Sequence, residues 1–323
     1  MLVYKYRSGL DRDIEALINN QSYAADIESL NDIQEGKIII NNQEIEIFDL
    51  FIANNLSNFD TSINNILKEF REDCKKFGIY SLSKDYKNEL LWAYYGNSNK
   101  GFCIEYDFEI LKQFPFNEDS FYDVEYSENI PVVNLQDIVN FSSKSNLPTK
   151  LLATKSLSWE REEEIRIITS LKGKFNYLSR AVKSIYFGNR TDENTIYSIM
   201  EKLKGRKIKY YKMTHKKNLY ELERVEIDDI FKNESIYKNK VNKFIPSIDE
   251  KTKTYEDLIK KAIIIVEQDS LCGEVIDAYI SSNKGTKNNP VFFITYKNEN
   301  RNISTRNCFI SKKEIEEIFN KDS

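Results

Sequence analysis

The chain of 323 residues contains little glycine, proline, cysteine or histidine. Ten glycines and five prolines exclude collagen-like and Pro/Gly-rich low-complexity sequence. The four cysteines are far apart and His215 is the only histidine, which argues against a zinc site and against Ser-His or Cys-His catalysis. Scattered thiols suit a reduced compartment. We therefore expect a cytoplasmic protein without a bound metal.

Long hydrophobic runs are also missing. The longest apolar run, residues 262–266, has the size of a strand, whereas a membrane span needs about 18 apolar residues. The opening MLVYKYRSGLDRD lacks a basic region followed by a long apolar core, so we expect neither a secretory signal nor a membrane partner. The net charge of −4 gives no global attraction to nucleic acid or anionic lipid.

The composition, with 41% hydrophobic and 30% charged residues, is that of a soluble protein with a sizeable core. We predict an α+β domain over residues 1–231, a Lys/Asn-rich linker over 232–244 and a small α/β C-terminal domain over 245–323. The C-terminal domain is a candidate for contact with a partner molecule. Residue periodicity predicts these main strands: 1–7, 79–83, 101–106, 165–171, 182–187, 207–211, 219–227, 274–280 and 291–296. It also predicts helices at 11–19, 63–77, 135–141, 193–203, 255–262 and 311–320, and a hairpin within 37–51.

Several sequence blocks together resemble those of a large uncharacterised bacterial family, over roughly residues 1–230. The blocks are YKYRS at 4–8, LND at 30–32, LLWAYYG at 90–96, GFCIEYD at 101–107, and a K-x-x-x-W-x-x-E-x-E-x-R pattern from Lys155 through Trp159, Glu162 and Glu164 to Arg166. Two positions depart from the family pattern. Tyr94 stands where the family has histidine, and Ile33-Gln34-Glu35 stands where it has Pro-Phe-Glu.

The order of these blocks is more distantly similar to the arginine–serine–glutamate class of ADP-ribosyltransferases, which split NAD. An arginine lies on a first strand, a Ser-x-Ser pair on a middle strand, and a glutamate opens a late strand. The resemblance implies a mixed, bent β-sheet core with helices around it. It further implies that NAD is the substrate, that the acceptor is a protein or a nucleic acid, and that the enzyme acts as a toxin or a phage-defence effector.

Each block offers a group that NAD chemistry needs. The Arg7 guanidinium can donate two parallel hydrogen bonds to the pyrophosphate. Ser81 and Ser83 lie on the same face of one strand, where their hydroxyls can support the site. The LLWAYYG block at 90–96, an aromatic turn, offers rings against which the cationic nicotinamide can pack. A fixed carboxylate stabilises the oxocarbenium character that develops when the glycosidic bond breaks. The candidates for these last two roles are Trp92, Tyr94, Tyr95, Glu162 and Glu164.

The same residues also have purely structural explanations. Arg7 is explained by an ion pair, the aromatic turn by core packing, and the alternation of Glu162, Glu164 and Arg166 by cross-strand ion pairing. The NAD hypothesis requires Arg7, Trp92 and Glu164 to converge on one pocket. Arg7 and Glu164 on opposite faces of the sheet would exclude it.

Two other functions remain open from the residues alone. Lysines and tyrosines interleave between residues 202 and 217, as a nucleic-acid-binding module requires: Lys207, Lys209, Tyr210, Tyr211 and Lys212. A metal-dependent nuclease would instead need carboxylates that converge from neighbouring strands. Its candidates are Glu105, Asp107, Glu162 and Glu164, with Lys155 near.

Overall fold

The computed structural model describes residues 1–44, 46–47, 50, 68–69, 72, 74–113, 120–134, 136–137, 146–237, 252–269, 272–298 and 305–319. The strands in chain order are β1 (Leu2–Arg7), β2 (Gln21–Ala24), β3 (Ile39–Ile40), β4 (Gly78–Ser83), β5 (Phe102–Asp107), β6 (Phe121–Asp123), β7 (Glu125–Ser127), β8 (Val132–Val133), β9 (Thr154–Ser156), β10 (Glu164–Thr169), β11 (Gly173–Asn176), β12 (Val182–Phe187), β13 (Lys209–His215), β14 (Leu222–Ile227), β15 (Cys272–Gly285), β16 (Pro290–Asn298) and β17 (Thr305–Ser311). The α-helices that lie wholly within these residues are α1 (Asp11–Ile18), α2 (Glu89–Tyr94), α3 (Phe108–Leu111), α4 (Asn146–Leu152), α5 (Glu193–Lys202), α6 (Glu256–Glu267) and α7 (Lys312–Phe319).

Eight strands form one large mixed sheet in the order β14-β13-β12-β5-β1-β4-β10-β6. Neighbouring strands are antiparallel except β12 and β13, which run parallel and are joined through α5. A parallel pair requires such a crossover, because a tight turn can only join antiparallel strands. The predicted α+β class, a mixed sheet with helices around it, is confirmed at this level.

The large sheet opens between its two central strands. β1 pairs with β5 over six residues and β4 pairs with β10 over six, whereas β1 and β4 share the single register pair Tyr4–Ser83. The Lys5 ammonium bridges this opening by donating a hydrogen bond of 2.7 Å to the Ser81 carbonyl. The Ser81 carbonyl thus accepts a hydrogen bond from the Lys5 side chain, where a regular antiparallel ladder would supply a backbone N–H.

The two faces of the sheet bury different cores. One face packs Val3, Tyr80 and Ile104 into the largest apolar cluster, to which α5 contributes Ile199. The opposite face packs a smaller aromatic cluster against α2: Tyr4, Tyr6, Trp92, Tyr186 and Tyr211. Asn88 caps α2 by accepting hydrogen bonds from the amides of residues 90 and 91.

A separate antiparallel sheet, β15-β16-β17, forms most of the C-terminal region together with α6 and α7. Ser311 caps α7 by accepting a hydrogen bond from the Glu314 amide at 3.2 Å. The side chain of Glu314 pairs with the buried Arg180 of the preceding region. The apolar core is continuous across this contact. The sequence-based domain boundaries stay a prediction.

Two secondary-structure predictions need correction. The described residues of 37–51 form no hairpin, because Ile39–Ile40 pairs in parallel with the distant β8 and residues 42–44 are helical. The C-terminal region has a third strand, β17, that the sequence did not predict. The predicted helices at 63–77 and 135–141 fall largely outside the described residues. No helix in the described part of the chain is both long and apolar enough to span a membrane.

Candidate functional site

A cavity of about 360 Å³ lies at the opening between β1 and β4. This volume is within the range of roughly 300–1,000 Å³ that is usual for small-molecule sites. Its lining is dominated by charged and aromatic side chains. They are Tyr4, Lys5, Tyr6, Arg7, Arg12, Asp13, Asn31, Glu35, Ser81, Ser83, Tyr94, Tyr95, Lys155, Glu162, Glu164 and Arg166, with Ser8, Ser29, Leu30, Leu82 and Leu91.

Cationic groups line the side of the cavity formed by β1 and the start of α1. Arg7 donates a hydrogen bond of 3.3 Å to the Ser22 hydroxyl, and its guanidinium lies 4.0 Å from the Asp13 carboxylate. Asp13 in turn accepts a hydrogen bond from the Ser8 hydroxyl. Arg12 projects from the exposed side of α1 into the same lining. This side is suited to an anionic group of a ligand.

Lys5 is a cation of this lining whose pKa is lowered. Burial and the nearby charge of Arg7 lower the pKa of Lys5 to about 7, despite the opposing influence of Glu164 and Glu162. The side chain also lies 4.6 Å from the Tyr80 ring centroid. An anion that entered the cavity would favour the protonated form of Lys5.

Three carboxylates and two cations form a buried cluster on the β10 side. Arg166 pairs with Glu164 at 2.8 Å and with Glu35 at 2.5 Å, and its side chain is 1% exposed. Lys155 contacts the carboxylates of Glu162, Glu164 and Glu35 at 2.6, 3.3 and 3.4 Å. With every member ionised, the cluster carries one net negative charge next to the cavity.

The cluster keeps Glu164 in its ionised form. Burial by itself favours the neutral acid, but the charge and hydrogen bonds of Arg166 and the charge of Lys155 outweigh it and lower the pKa of Glu164 to about 2. Burial raises the pKa of Glu35 despite the same two cations. Glu164 is therefore a fixed negative charge at neutral pH and not a proton donor.

Glu162 reaches the cavity through a strained turn. Glu163 has a left-handed φ of 44° where the 3₁₀ turn Leu157–Glu162 meets β10, and this kink turns both flanking glutamates to the cavity. Ser83 holds the turn by donating a hydrogen bond of 2.8 Å to the Glu162 carbonyl. The Tyr95 hydroxyl donates to Glu162 at 3.1 Å and accepts from Asn31 at 3.0 Å.

Trp92, predicted for the nicotinamide wall, does not line this cavity. The ring is fully buried, its indole NH donates to the Tyr86 carbonyl at 2.8 Å, and it packs edge-on against Tyr6 at 5.2 Å between centroids. The aromatic part of the lining consists of Tyr4, Tyr6, Tyr94 and Tyr95. Tyr94 lies at the rim and is 66% exposed.

Arg7 and Glu164 project from opposite faces of the large sheet. Tyr4, Ser83 and Glu164 are cross-strand neighbours on one face, and Arg7 lies three residues after Tyr4, on the other face. In a continuous sheet this arrangement would exclude a shared site. The condition set for the NAD hypothesis is therefore not met as stated, since Arg7 and Glu164 lie on opposite faces and Trp92 is absent from the lining. What the structure retains of it is that Arg7 and Glu164 both line the cavity at the gap between β1 and β4.

The two tyrosines of the predicted nucleic-acid patch are buried. Tyr210 and Tyr211 are 2% and 7% exposed and belong to the cores on opposite faces of the sheet. Lys207 donates to the Lys232 carbonyl and Lys212 to the Thr191 carbonyl, while Lys209 is exposed. No aromatic surface for base stacking is available at this segment.

The four carboxylates predicted for a nuclease do not all gather. Glu162 and Glu164 share the buried cluster with Lys155, whereas Glu105 and Asp107 are held elsewhere. Glu105 accepts hydrogen bonds from the hydroxyls of Tyr4, Ser184 and Tyr186 at 3.1, 2.7 and 2.6 Å. Asp107 caps α3 instead. Within the described ranges, no group of three or more potential ligands is arranged to hold a metal ion.

Comparison with known proteins relates part of the chain to a family. Residues 91–167 match the model of a family described as "Protein of unknown function (DUF2971)". The matched segment is about a quarter of the chain and contains Tyr94, Tyr95, Lys155, Glu162 and Glu164. It supports kinship with an uncharacterised family. No curated protein and no solved structure matches the chain.

Sequence reasoning missed four charged residues of the lining, namely Lys5, Arg12, Asp13 and Glu35. Glu35 and Lys5 had a usable signal, since both lie inside blocks that resemble the uncharacterised family. Arg12 and Asp13 had none, because charges in the first turn of a helix are ordinarily solvated.

Proposed function

We propose that the cavity binds NAD and cleaves its nicotinamide–ribose bond, with transfer of ADP-ribose to an acceptor. The observation that carries this proposal is the polarity of the cavity. Arg7, Lys5 and Arg12 lie on the β1 side, and the net negative cluster around Glu164 lies on the β10 side. NAD has the matching charge distribution, with an anionic diphosphate and a cationic nicotinamide ring.

The arrangement assigns a task to each side. On the β1 side the Arg7 fork and the ammonium of Lys5 attract the diphosphate. On the β10 side the C1′–N bond breaks, its electron pair leaves with nicotinamide, and positive charge develops on the ribose. Glu164 stabilises that charge electrostatically, because its lowered pKa keeps it ionised. The acceptor then bonds to C1′ and releases its proton to solvent.

The serines and the tyrosines take supporting roles in this proposal. Ser83 fixes the turn that carries Glu162, and Ser81 supplies the carbonyl that holds Lys5. Tyr94 at the rim and Tyr95 within provide flat surfaces for the nicotinamide ring.

The test is nicotinamide release from NAD by the purified chain, with cell lysate supplied as acceptor. We expect release by the wild type and a loss of at least about 100-fold in Glu164→Gln, as is typical when a transition-state charge loses its partner. Glu163→Gln is the matched control, because Glu163 is exposed and lies outside the lining. Its release rate should equal that of the wild type.

A second variant separates chemistry from folding, since Glu164→Gln also perturbs a buried ion cluster. Arg7→Lys retains the positive charge and loses the paired N–H donors, so we expect a higher KM for NAD with a smaller change in kcat. The melting temperature measured beside it reports the separate loss of the Ser22 and Asp13 contacts. Absence of release by the wild type, or equal release by Glu164→Gln and Glu163→Gln, would refute the proposal.

A further inference from the structure

The C-terminal sheet carries a row of aromatic rings on the face opposite α6 and α7. Alternate residues of β16 pack inward, where Phe292 and Ile294 are fully buried against α6. Tyr279, Phe293 and Phe309 are direct cross-strand neighbours on the other face. Their ring centroids are 5.0 and 5.1 Å apart along the row.

The three rings of this row contact one another and still remain partly exposed to solvent. Tyr279 is 45% exposed, and Phe293 and Phe309 are half-buried. Apolar rings of a solvent-facing sheet would ordinarily be replaced by polar residues, so a contiguous row indicates a surface that another molecule covers.

The described segment that carries Tyr279 and Phe293 is basic in an acidic chain. Residues 278–298 contain Lys284, Lys287 and Lys297 and no acidic residue, whereas the whole chain has a net charge of −4. Asp277 lies on the same face as Tyr279, two residues before it. Lys297 pairs with Glu274 at 2.7 Å. The Lys284 ammonium lies over the Phe309 ring, 3.9 Å from its centroid.

We propose that this face of the C-terminal sheet binds single-stranded nucleic acid. Bases stack on Tyr279, Phe293 and Phe309, and phosphates lie near Lys284 and Lys287 at the β15–β16 turn. Aromatic rings in register on neighbouring strands present successive platforms for unpaired bases, and adjacent lysines neutralise the backbone. A duplex lacks unstacked bases and is a poorer ligand. This inference is independent of the NAD chemistry at the other site.

The test measures fluorescence anisotropy of labelled oligonucleotides with the full-length chain. The probes are single-stranded DNA and RNA of about 12 nucleotides, within the usual site size, and the corresponding DNA duplex. We expect both single strands, or one of them, to bind more tightly than the duplex. A preference for RNA would assign a contact to the 2′-hydroxyl, and a preference for DNA would exclude one.

Three variants assign the binding to the aromatic row. Tyr279→Ala should weaken binding about tenfold, and Tyr279→Phe should retain it, because stacking needs the ring and not the hydroxyl. Lys284→Gln should make the salt dependence of the affinity less steep. Tyr220→Ala is the control, since Tyr220 is fully exposed on the β13–β14 turn, and its affinity should equal that of the wild type.

Several results would overturn the inference. One is the absence of an anisotropy change up to about 100 µM chain, the weak limit of non-specific binding. Another is tighter binding of the duplex, which would indicate backbone attraction without stacking. A third is equal affinity of Tyr279→Ala and Tyr220→Ala. Binding of anionic phosphatidylserine vesicles without any binding of oligonucleotides would also contradict it.

Discussion

Replacing Arg166 by methionine removes the central cation of the buried cluster beside the cavity. Arg166 is 1% exposed, pairs with Glu164 and Glu35, and donates a hydrogen bond of 2.7 Å to the Leu152 carbonyl. Methionine has a similar unbranched chain, so little volume is lost. The variant leaves Glu35 and Glu164 buried with Lys155 as their shared cation.

The expected loss of stability is large. Removal of one partner from a buried ion pair costs about 3–5 kcal/mol, because the remaining charge is left uncompensated. The entropy of unfolding near Tm is about 2.1 cal/mol/K per residue, which gives about 0.7 kcal/mol/K for 323 residues. We therefore expect Tm to fall by about 4–7 °C.

The assay is a double-mutant cycle followed by calorimetry. Arg166→Met, Glu35→Gln and the double variant are compared with the wild type, and the double variant is expected to recover about 0.5–3 kcal/mol relative to the sum. Arg161→Met is the control, because residue 161 is exposed and its loss should cost under about 0.5 kcal/mol. An Arg166→Met loss no larger than that of Arg161→Met, or strict additivity in the cycle, would refute the reasoning.

Three further predictions concern single residues of the cavity and its support. Because the pKa of Lys5 is lowered to about 7, the native chain binds fewer protons than the unfolded chain between about pH 7 and 10.5, and the buried ammonium destabilises the fold most below pH 7. Lys5→Met removes this charge and should raise Tm more at pH 6 than at pH 10. Calorimetry at the two pH values checks this, and equal gains contradict it. Tyr94→His restores the residue of the family pattern at an exposed rim position, so nicotinamide release should rise with stability unchanged within about 0.5 kcal/mol; unchanged or slower release would contradict this. A Cβ at Gly101 would lie 2.1 Å from the Arg7 carbonyl oxygen, so Gly101→Ala should cost at least about 2 kcal/mol in urea unfolding, and a loss under about 0.5 kcal/mol would show that the β1–β5 contact adapts.

Much of the fold could be predicted from the sequence where local pattern decides it. The strand Val182–Phe187 and the helix Asp11–Ile18 agree with the prediction closely, because an apolar run and a helical stripe each act within one element. The pairing of strand Ile39–Ile40 with strand Val132–Val133 could not be predicted, because 93 positions separate the partners. Neighbouring asparagines at 41 and 42 favoured a local turn instead.

The candidate site was only partly predictable for a similar reason. Glu162 and Glu164 belong to one sequence block, and the structure brings both to the cavity. The depth of each side chain depends on distant contacts, so Trp92 could not be distinguished from a wall residue by sequence. The cluster of Glu35 with Arg166 joins residues 131 positions apart, and no periodicity reports such a pair.

The single register pair between β1 and β4 has a mechanical consequence. It divides the eight strands into a group of five, β14-β13-β12-β5-β1, and a group of three, β4-β10-β6. Side chains therefore join the two groups where the backbone ladder does not. Val3 and Ile104 of the first group share one apolar core with Tyr80 and Ile165 of the second, and the Lys5 ammonium bonds the Ser81 carbonyl across the gap.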